Sequence, residues 1–183
     1  FVQLDSINTV APPHDMILFS RRPRYRTKDL KNLYERDCAL FEHWTHDASI
    51  IPTAFYPQWR MRFDRDSKRL KDRWNEWRRG EFEEQFDKIR TQIGENGACC
   101  SSDVGKGEKR GSGGWWDWHP SKTALEYLWR SGELAVCKRV GFQKHYDLTD
   151  RVIPPENLVH TPTHTETIDW CCNAALDRLG FAT

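Results

Sequence analysis

The chain has 183 residues, room for one large domain or two small ones. Its 28 Lys and Arg against 27 Asp and Glu leave a net charge of +1, so any case for a nucleic-acid or membrane partner must rest on local charge. No apolar run approaches about eighteen residues, which excludes a transmembrane helix, and an aromatic content of 13% with nine Trp argues against disorder.

The chain opens on Phe1-Val2-Gln3-Leu4-Asp5 without an initiator Met or a signal peptide, and it reads as a fragment of a longer protein. Residues 1–10 alternate weakly until Ala11-Pro12-Pro13-His14 breaks the pattern. Met16 to Phe19 is apolar, and Arg21-Arg22-Pro23-Arg24-Tyr25-Arg26 is basic. Thr27 is read as the N-cap of a helix with Leu30, Leu33, Tyr34 and Cys38 on one stripe. Ala39 to Trp44 is strand-like. Residues 49–52 are expected to turn into a helix carrying Phe55, Tyr56 and Trp59. Gln58 to Arg79 is a long, charged helix, with Gly80 as its stop.

A second unit starts at Glu81. Phe82, Phe86, Ile89 and Ile93 share one helix face, and Ser101-Ser102-Asp103 reads as the cap of a short helix. A Gly- and Lys-rich loop covers residues 106–114. Pro120 opens a helix with Ala124, Leu125, Leu128 and Trp129 inward. Leu134 to Arg139 and Phe142 to Leu148 flank Val140-Gly141 as a β-hairpin. Helix, short helix, helix and two-stranded wing is the order of a winged helix-turn-helix, a fold used mostly to bind duplex DNA. The fold class is therefore α+β, mainly α, with tandem winged helix-turn-helix domains. Residues 1–80 make a partial first domain, 81–152 the second, and 153–183 a linker and the start of a third. The last helix runs from His164 to Leu179, with Ile168, Cys171, Cys172, Ala175, Leu176 and Leu179 on its apolar side.

Gln3 and Asp5 are two apart, so on an extended segment they face the same way with Leu4 behind them. An amide can orient a water or a sugar oxygen. A carboxylate can take that water's proton or stabilise a cationic sugar. The same pair also fits a plain surface strand with Asp5 capping the next turn. Arg21, Arg22, Arg24 and Arg26, interleaved with Pro23 and Tyr25, suit a phosphate backbone or a solvated loop. For helix 58–79 the mixed charges favour a solvated face. The glycine-rich loop lacks the order of a phosphate-binding P-loop, but its Lys109 and Arg110 could follow a DNA backbone. Trp115, Trp116 and Trp118 read first as core under that loop and second as base-stacking platforms. His43 and His46 are three apart, without the frame of a zinc helix, and read as neutral polar groups near Ser49. The six cysteines, Cys38, Cys99, Cys100, Cys137, Cys171 and Cys172, lack metal-ligand spacing and are expected as mostly buried free thiols. No metal site is expected.

Taken together, Gln3-Leu4-Asp5, the block from His43 to Pro52, the block from Gly107 to Trp118, and the stretches from Ala124 to Leu134 and Tyr146 to Thr149 resemble the winged-helix DNA glycosylases of the AlkZ/YcaQ (AlkX) group. The resemblance implies excision of N7-alkylated guanine, including unhooking of interstrand crosslinks, from double-stranded DNA. It implies a Gln-apolar-Asp catalytic signature of the YcaQ branch at Gln3, Leu4 and Asp5. A cationic N7-alkylguanine is already a good leaving group, so a monofunctional hydrolase with no cofactor and no lysine nucleophile follows. The residues taken to face substrate or DNA are Arg21, Arg22, Arg24, His43, His46, Ser49, Lys109, Arg110, Trp115, Trp116 and Lys122. The protein is expected to be an intracellular monomer away from membranes. A winged-helix regulator without catalysis is the competing reading, and a protein-binding scaffold the third.

Overall fold

The computed structural model of the chain describes residues 1–76, 81–105, 107–108 and 119–181. Val2–Gln3 (β1), Leu40–Trp44 (β2) and Ala48–Pro52 (β3) form an antiparallel sheet in the order β1-β3-β2. At residues 49–52 the expected turn into a helix is instead strand β3. Ile50 and Ile51 are β-branched and both buried, one on each face, which favours a strand covered on both sides. The chain becomes helical only after Pro52, through a 3₁₀ turn at Thr53–Phe55 that leads into Tyr56–Glu76 (α3). Before the sheet closes, Pro13–Arg21 (α1) and Thr27–Lys31 (α2) pack at its edge, and α2 runs on into a π turn at Asn32–Arg36. Thr27 is the first residue of α2 rather than its cap. That place belongs to Arg26, whose backbone N–H donates to the Asp29 carboxylate at 3.0 Å. Cys38 leaves the helical stripe altogether, at φ 49°.

The second half contains Phe86–Asn96 (α4), Cys99–Cys100 (β4), Pro120–Arg130 (α5), Leu134–Val140 (β5) and Gln143–Leu148 (β6). The three strands make a second antiparallel sheet in the order β4-β6-β5. Residues 101–103, read as the cap of a short helix, form a turn in which Asp103 Oδ2 accepts the Cys100 backbone N–H at 2.8 Å, and most of the stretch that would hold that helix lies outside the described residues. Val140 ends β5, so Gly141-Phe142 forms the hairpin turn, one residue later than the pattern suggests, with Gly141 at φ 59°. Thr149–Val152 (α6) and a 3₁₀ turn at Pro155–Asn157 occupy the expected linker. His164–Leu179 (α7) has the predicted span, opened by a capping box between Thr163 and Glu166. Its apolar side is not buried, however. Leu179 is 68% exposed, and among the contacts of α7 with the rest of the molecule are the Trp170 ring, 4.8 Å from the Phe55 ring, and Arg178 over that same ring. The cysteines are free thiols; Cys99 and Cys100 are buried, whereas Cys171 and Cys172 are exposed.

The first sheet is a wall between two apolar masses. Leu4, Ala48 and Ile50 face a cluster with Leu70, Trp74, Phe82, Ile93, Leu128 and Val136. Phe41 and Ile51 face a second cluster with Tyr56, Trp59, Phe63 and Ile153. Buried polar bonds join the two halves of the molecule. The Tyr34 hydroxyl donates to the Val136 carbonyl at 2.7 Å, and Trp129 Nε1 donates to the Glu42 carbonyl at 3.0 Å. Arg139 of β5 grips the buried Glu42 carboxylate with two bonds, of 2.8 and 2.7 Å. The same guanidinium donates to the Phe142 carbonyl at the hairpin turn, at 2.6 Å.

Candidate catalytic strand and cationic groove

Three of the predicted site residues share one row of the first sheet. Gln3 pairs with Ser49 across β1 and β3, and Ser49 pairs with His43 across β3 and β2. The row runs from water to core. Gln3 is exposed on the edge strand, Ser49 is buried with its hydroxyl 2.9 Å from that of Thr45, and His43 is 2% exposed. His43 Nδ1 accepts from Trp59 Nε1 at 2.9 Å, which places the ring proton on Nε2. The rings of Phe63 and Trp129 enclose it at 5.0 and 5.2 Å. Burial, reinforced by the nearby Arg130 charge, pushes its pKa down to about 3. His43 is a neutral imidazole packed within the wall, not a surface contact.

At the edge, the Gln3 amide is aimed by Asp47. Gln3 Nε2 donates to Asp47 Oδ2 at 3.2 Å, while Asp47 Oδ1 accepts the Ala48 N–H at 2.8 Å. Leu4 is buried, and its backbone N–H donates to the Ala48 carbonyl at 2.8 Å. It anchors the strand so that Gln3 and Asp5 both reach solvent on either side of it. Asp5 Oδ1 accepts the Ile7 N–H at 3.0 Å and fixes the carboxylate at the strand end. His14 of α1 was not singled out by the sequence, because a lone His after two prolines carries no pattern. It lies within electrostatic reach of Asp5, Asp15 and Arg139; burial lowers its pKa, and its Nδ1 is buried without a hydrogen-bond partner among the described residues. His46 is exposed on the β2–β3 turn.

Arg21, Arg22 and Arg24 are exposed and line one side of an open cavity of about 680 Å³, floored by Val2, Leu30, Leu40 and Ile50. Val2 and Gln3 are neighbours on one strand, so this cavity lies on the sheet face opposite Gln3. Lys122 belongs to a different cavity, described next. Lys109, Arg110, Trp115 and Trp116 lie outside the described residues.

A groove of about 660 Å³ runs between α3, α5 and β6. Arg69, Arg73, Lys122, Arg130 and Lys144 line it, with one carboxylate, Glu126, among them. Its cationic groups are held from below. Asp66 is 0% exposed and meets Arg65 at 3.0 Å, Arg130 at 3.2 Å and Arg69 at 3.6 Å. Burial alone would raise the Asp66 carboxyl, but the bond from Arg65 and the Arg130 charge outweigh it and hold the pKa below the usual carboxylate value. Arg130 also sits over the Trp44 ring at 5.0 Å, and Lys144 over the Trp129 ring at 3.4 Å. The mixed charges of helix 58–79 suggest a solvated face. The overlooked signal is the spacing of Arg62, Asp66, Arg69 and Arg73, four, three and four apart, which sets them on one stripe. The turn at residues 45–47 connects groove and strand. Trp44 lines the groove, the Thr45 carbonyl accepts from Arg62 at 2.7 Å, and Asp47 accepts from Gln3.

An amide and a carboxylate presented at a strand edge, beside a groove with a strong local excess of positive charge, suit a protein that works on a polyanion. The AlkZ-like family model, described as DNA glycosylase AlkZ-like, matches residues 1–183, and the chain belongs to that family. Membership identifies DNA as the substrate and hydrolysis of an N-glycosyl bond, as in DNA repair, as the reaction. No solved structure matches the chain.

Proposed function

We propose that this protein is a monofunctional DNA glycosylase of the YcaQ-like branch. It hydrolyses the N-glycosidic bond of N7-alkylguanine in duplex DNA and unhooks guanine interstrand crosslinks. The observation that carries this reading is the edge strand itself. Leu4 is buried while Gln3 and Asp5 reach solvent, and the Gln3 amide is held by Asp47 rather than left to rotate. Asp5 would take the proton of an attacking water or stabilise the sugar cation, and Gln3 would orient that water. The leaving base is already cationic, so the site needs no strong general acid. A site on a strand edge is also reachable by a crosslinked base that cannot be drawn into a deep pocket. The helix, strand and hairpin order of residues 81–152 supports a winged-helix unit, with residues 1–80 assigned to a first unit of this kind and residues 153–183 to a third. Arg21, Arg22, Arg24, His46 and Lys122 remain the described DNA contacts of this reading. It takes the protein to be a monomer working inside the cell without a cofactor.

Base release from duplexes carrying N7-alkylguanine, as a monoadduct and as a crosslink, tests the proposal. Asp5→Asn is expected to lower release by at least about a hundredfold, with DNA affinity within about twofold of wild type. Equal release by variant and wild type would remove Asp5 from the chemistry. Salt-sensitive binding without any release would favour a winged-helix binder that lacks the reaction.

A further inference from the structure

We propose that the groove between α3, α5 and β6 seats the phosphodiester backbone of duplex DNA, with Arg69 and Arg73 as its principal contacts. The inference rests on the DNA-acting reading above but concerns a surface that the catalytic strand does not include.

Scattered surface cations usually belong to long, mobile side chains, and ordering them costs entropy on binding. Here the arrangement is built in advance. One fully buried carboxylate, Asp66, gathers Arg65, Arg69 and Arg130 around itself. It cancels one of those three positive charges and holds two of the arginines, Arg69 and Arg130, at the groove wall. Arg69 keeps the loosest of these pairings, at 3.6 Å, with its side chain 57% exposed. Arg130 is braced against Trp44, and Lys144 against Trp129. The groove therefore sets Arg69, on its buried carboxylate, and the exposed Arg73 beside two cations braced on aromatic rings, of which Lys144 is also paired with Glu126 at 3.2 Å, and this net positive wall suits a ligand of repeating negative charge.

The stripe also has a direction. At 1.5 Å per residue, the eleven-residue step from Arg62 to Arg73 covers about 16 Å of α3. B-DNA carries one charge per about 1.7 Å of its axis, so a stripe of that length can meet several phosphates. Its Arg62 end bonds the turn that holds Asp47 and Gln3. A backbone lying along the stripe would lead directly to the edge strand.

The test is fluorescence anisotropy of the whole chain with a labelled, undamaged DNA duplex over a range of salt. The double variant Arg69→Gln/Arg73→Gln changes two exposed side chains. Lys88→Gln/Arg178→Gln is the charge-matched control, since neither residue lines the groove. The groove variant is expected to bind about ten- to a hundredfold more weakly, and its log K against log salt slope to be shallower by about 2. The control is expected to shift both far less. Thermal melts of both variants confirm that the fold is retained. Equal losses in variant and control, an unchanged slope, no duplex binding by wild type, or tighter binding of a single strand than of the duplex would each overturn the proposal. Base release measured in the same preparations separates the two readings. A wild type that binds with the predicted slope but releases no base keeps the groove and loses the glycosylase. A wild type that releases base while the groove variant binds normally does the reverse.

Discussion

At the scale of single residues, His43 shows how a polar side chain can be read correctly as neutral and wrongly as accessible. Its neutrality follows from ordinary histidine chemistry. Its burial depends on Trp59, Phe63 and Trp129, which no local pattern links to it. The environment has a thermodynamic consequence. The folded chain resists protonating His43 until about pH 3, whereas an unfolded one takes up that proton near 6.5. The stability that His43 confers is therefore complete above the unfolded pKa and is lost as pH falls from there toward the folded one. The slope is at most about 1.4 kcal/mol per pH unit. His14, also lowered by burial, acts in the same direction. Urea unfolding at about pH 7 and about pH 5 should show wild type losing stability on acidification, and His43→Phe should lose less. That Gln3 and Asp5 flank a buried Leu4 is legible, because the alternation of an extended segment is a property of sequence alone. The role of Asp47 is not, because it depends on how β1 meets the β2–β3 turn.

At the scale of elements, the helices announced themselves through stripes and caps, and α5 and α7 fall where their prolines, caps and apolar spacings put them. Strand β3 did not. Four residues ending in Pro resemble a helix entry, and only pairing with β1 and β2 makes them a strand. Strand β4 is shorter still, and its two cysteines are held by β6 rather than by their own pattern. The end of α5 depends on one glycine. Gly132 sits at φ 82°, and a Cβ there would lie 2.5 Å from the Phe63 ring of α3. Its carbonyl also accepts the Thr149 hydroxyl at 2.7 Å, so α3, α5 and α6 converge on this residue. Gly132→Ala combines backbone strain with overpacking, and its expected cost is about 1–3 kcal/mol, measurable as a lower urea midpoint. The ring that meets the new methyl is a buried side chain, so it has little room to yield.

At the scale of the whole molecule, the contact between the two sheets rests on Glu42 and Arg139, ninety-seven positions apart. Burial alone would lower the Arg139 pKa, but the Glu42 carboxylate more than compensates and raises it. Such a pair adds little net stability over an apolar substitute, yet removing one partner leaves a charge stranded in the interior. Glu42→Ala should cost about 3–5 kcal/mol in equilibrium unfolding. The double variant Glu42→Ala/Arg139→Met should recover much of that loss, since it strands no charge. A pairing across such a separation cannot be read from either strand alone. The cationic stripe of α3 was likewise visible as charge but not as a groove, because its opposite wall comes from α5 and β6. Arg139 also holds the Phe142 carbonyl, so the hairpin is secured at its flank and its tip by one guanidinium. It is a rail, not a hinged arm. Under the DNA reading, the bending that brings a damaged nucleotide to the edge strand must then come from the duplex. Lesions flanked by easily unstacked steps such as TA or CA would be engaged more readily than the same lesion in a stiff A-tract.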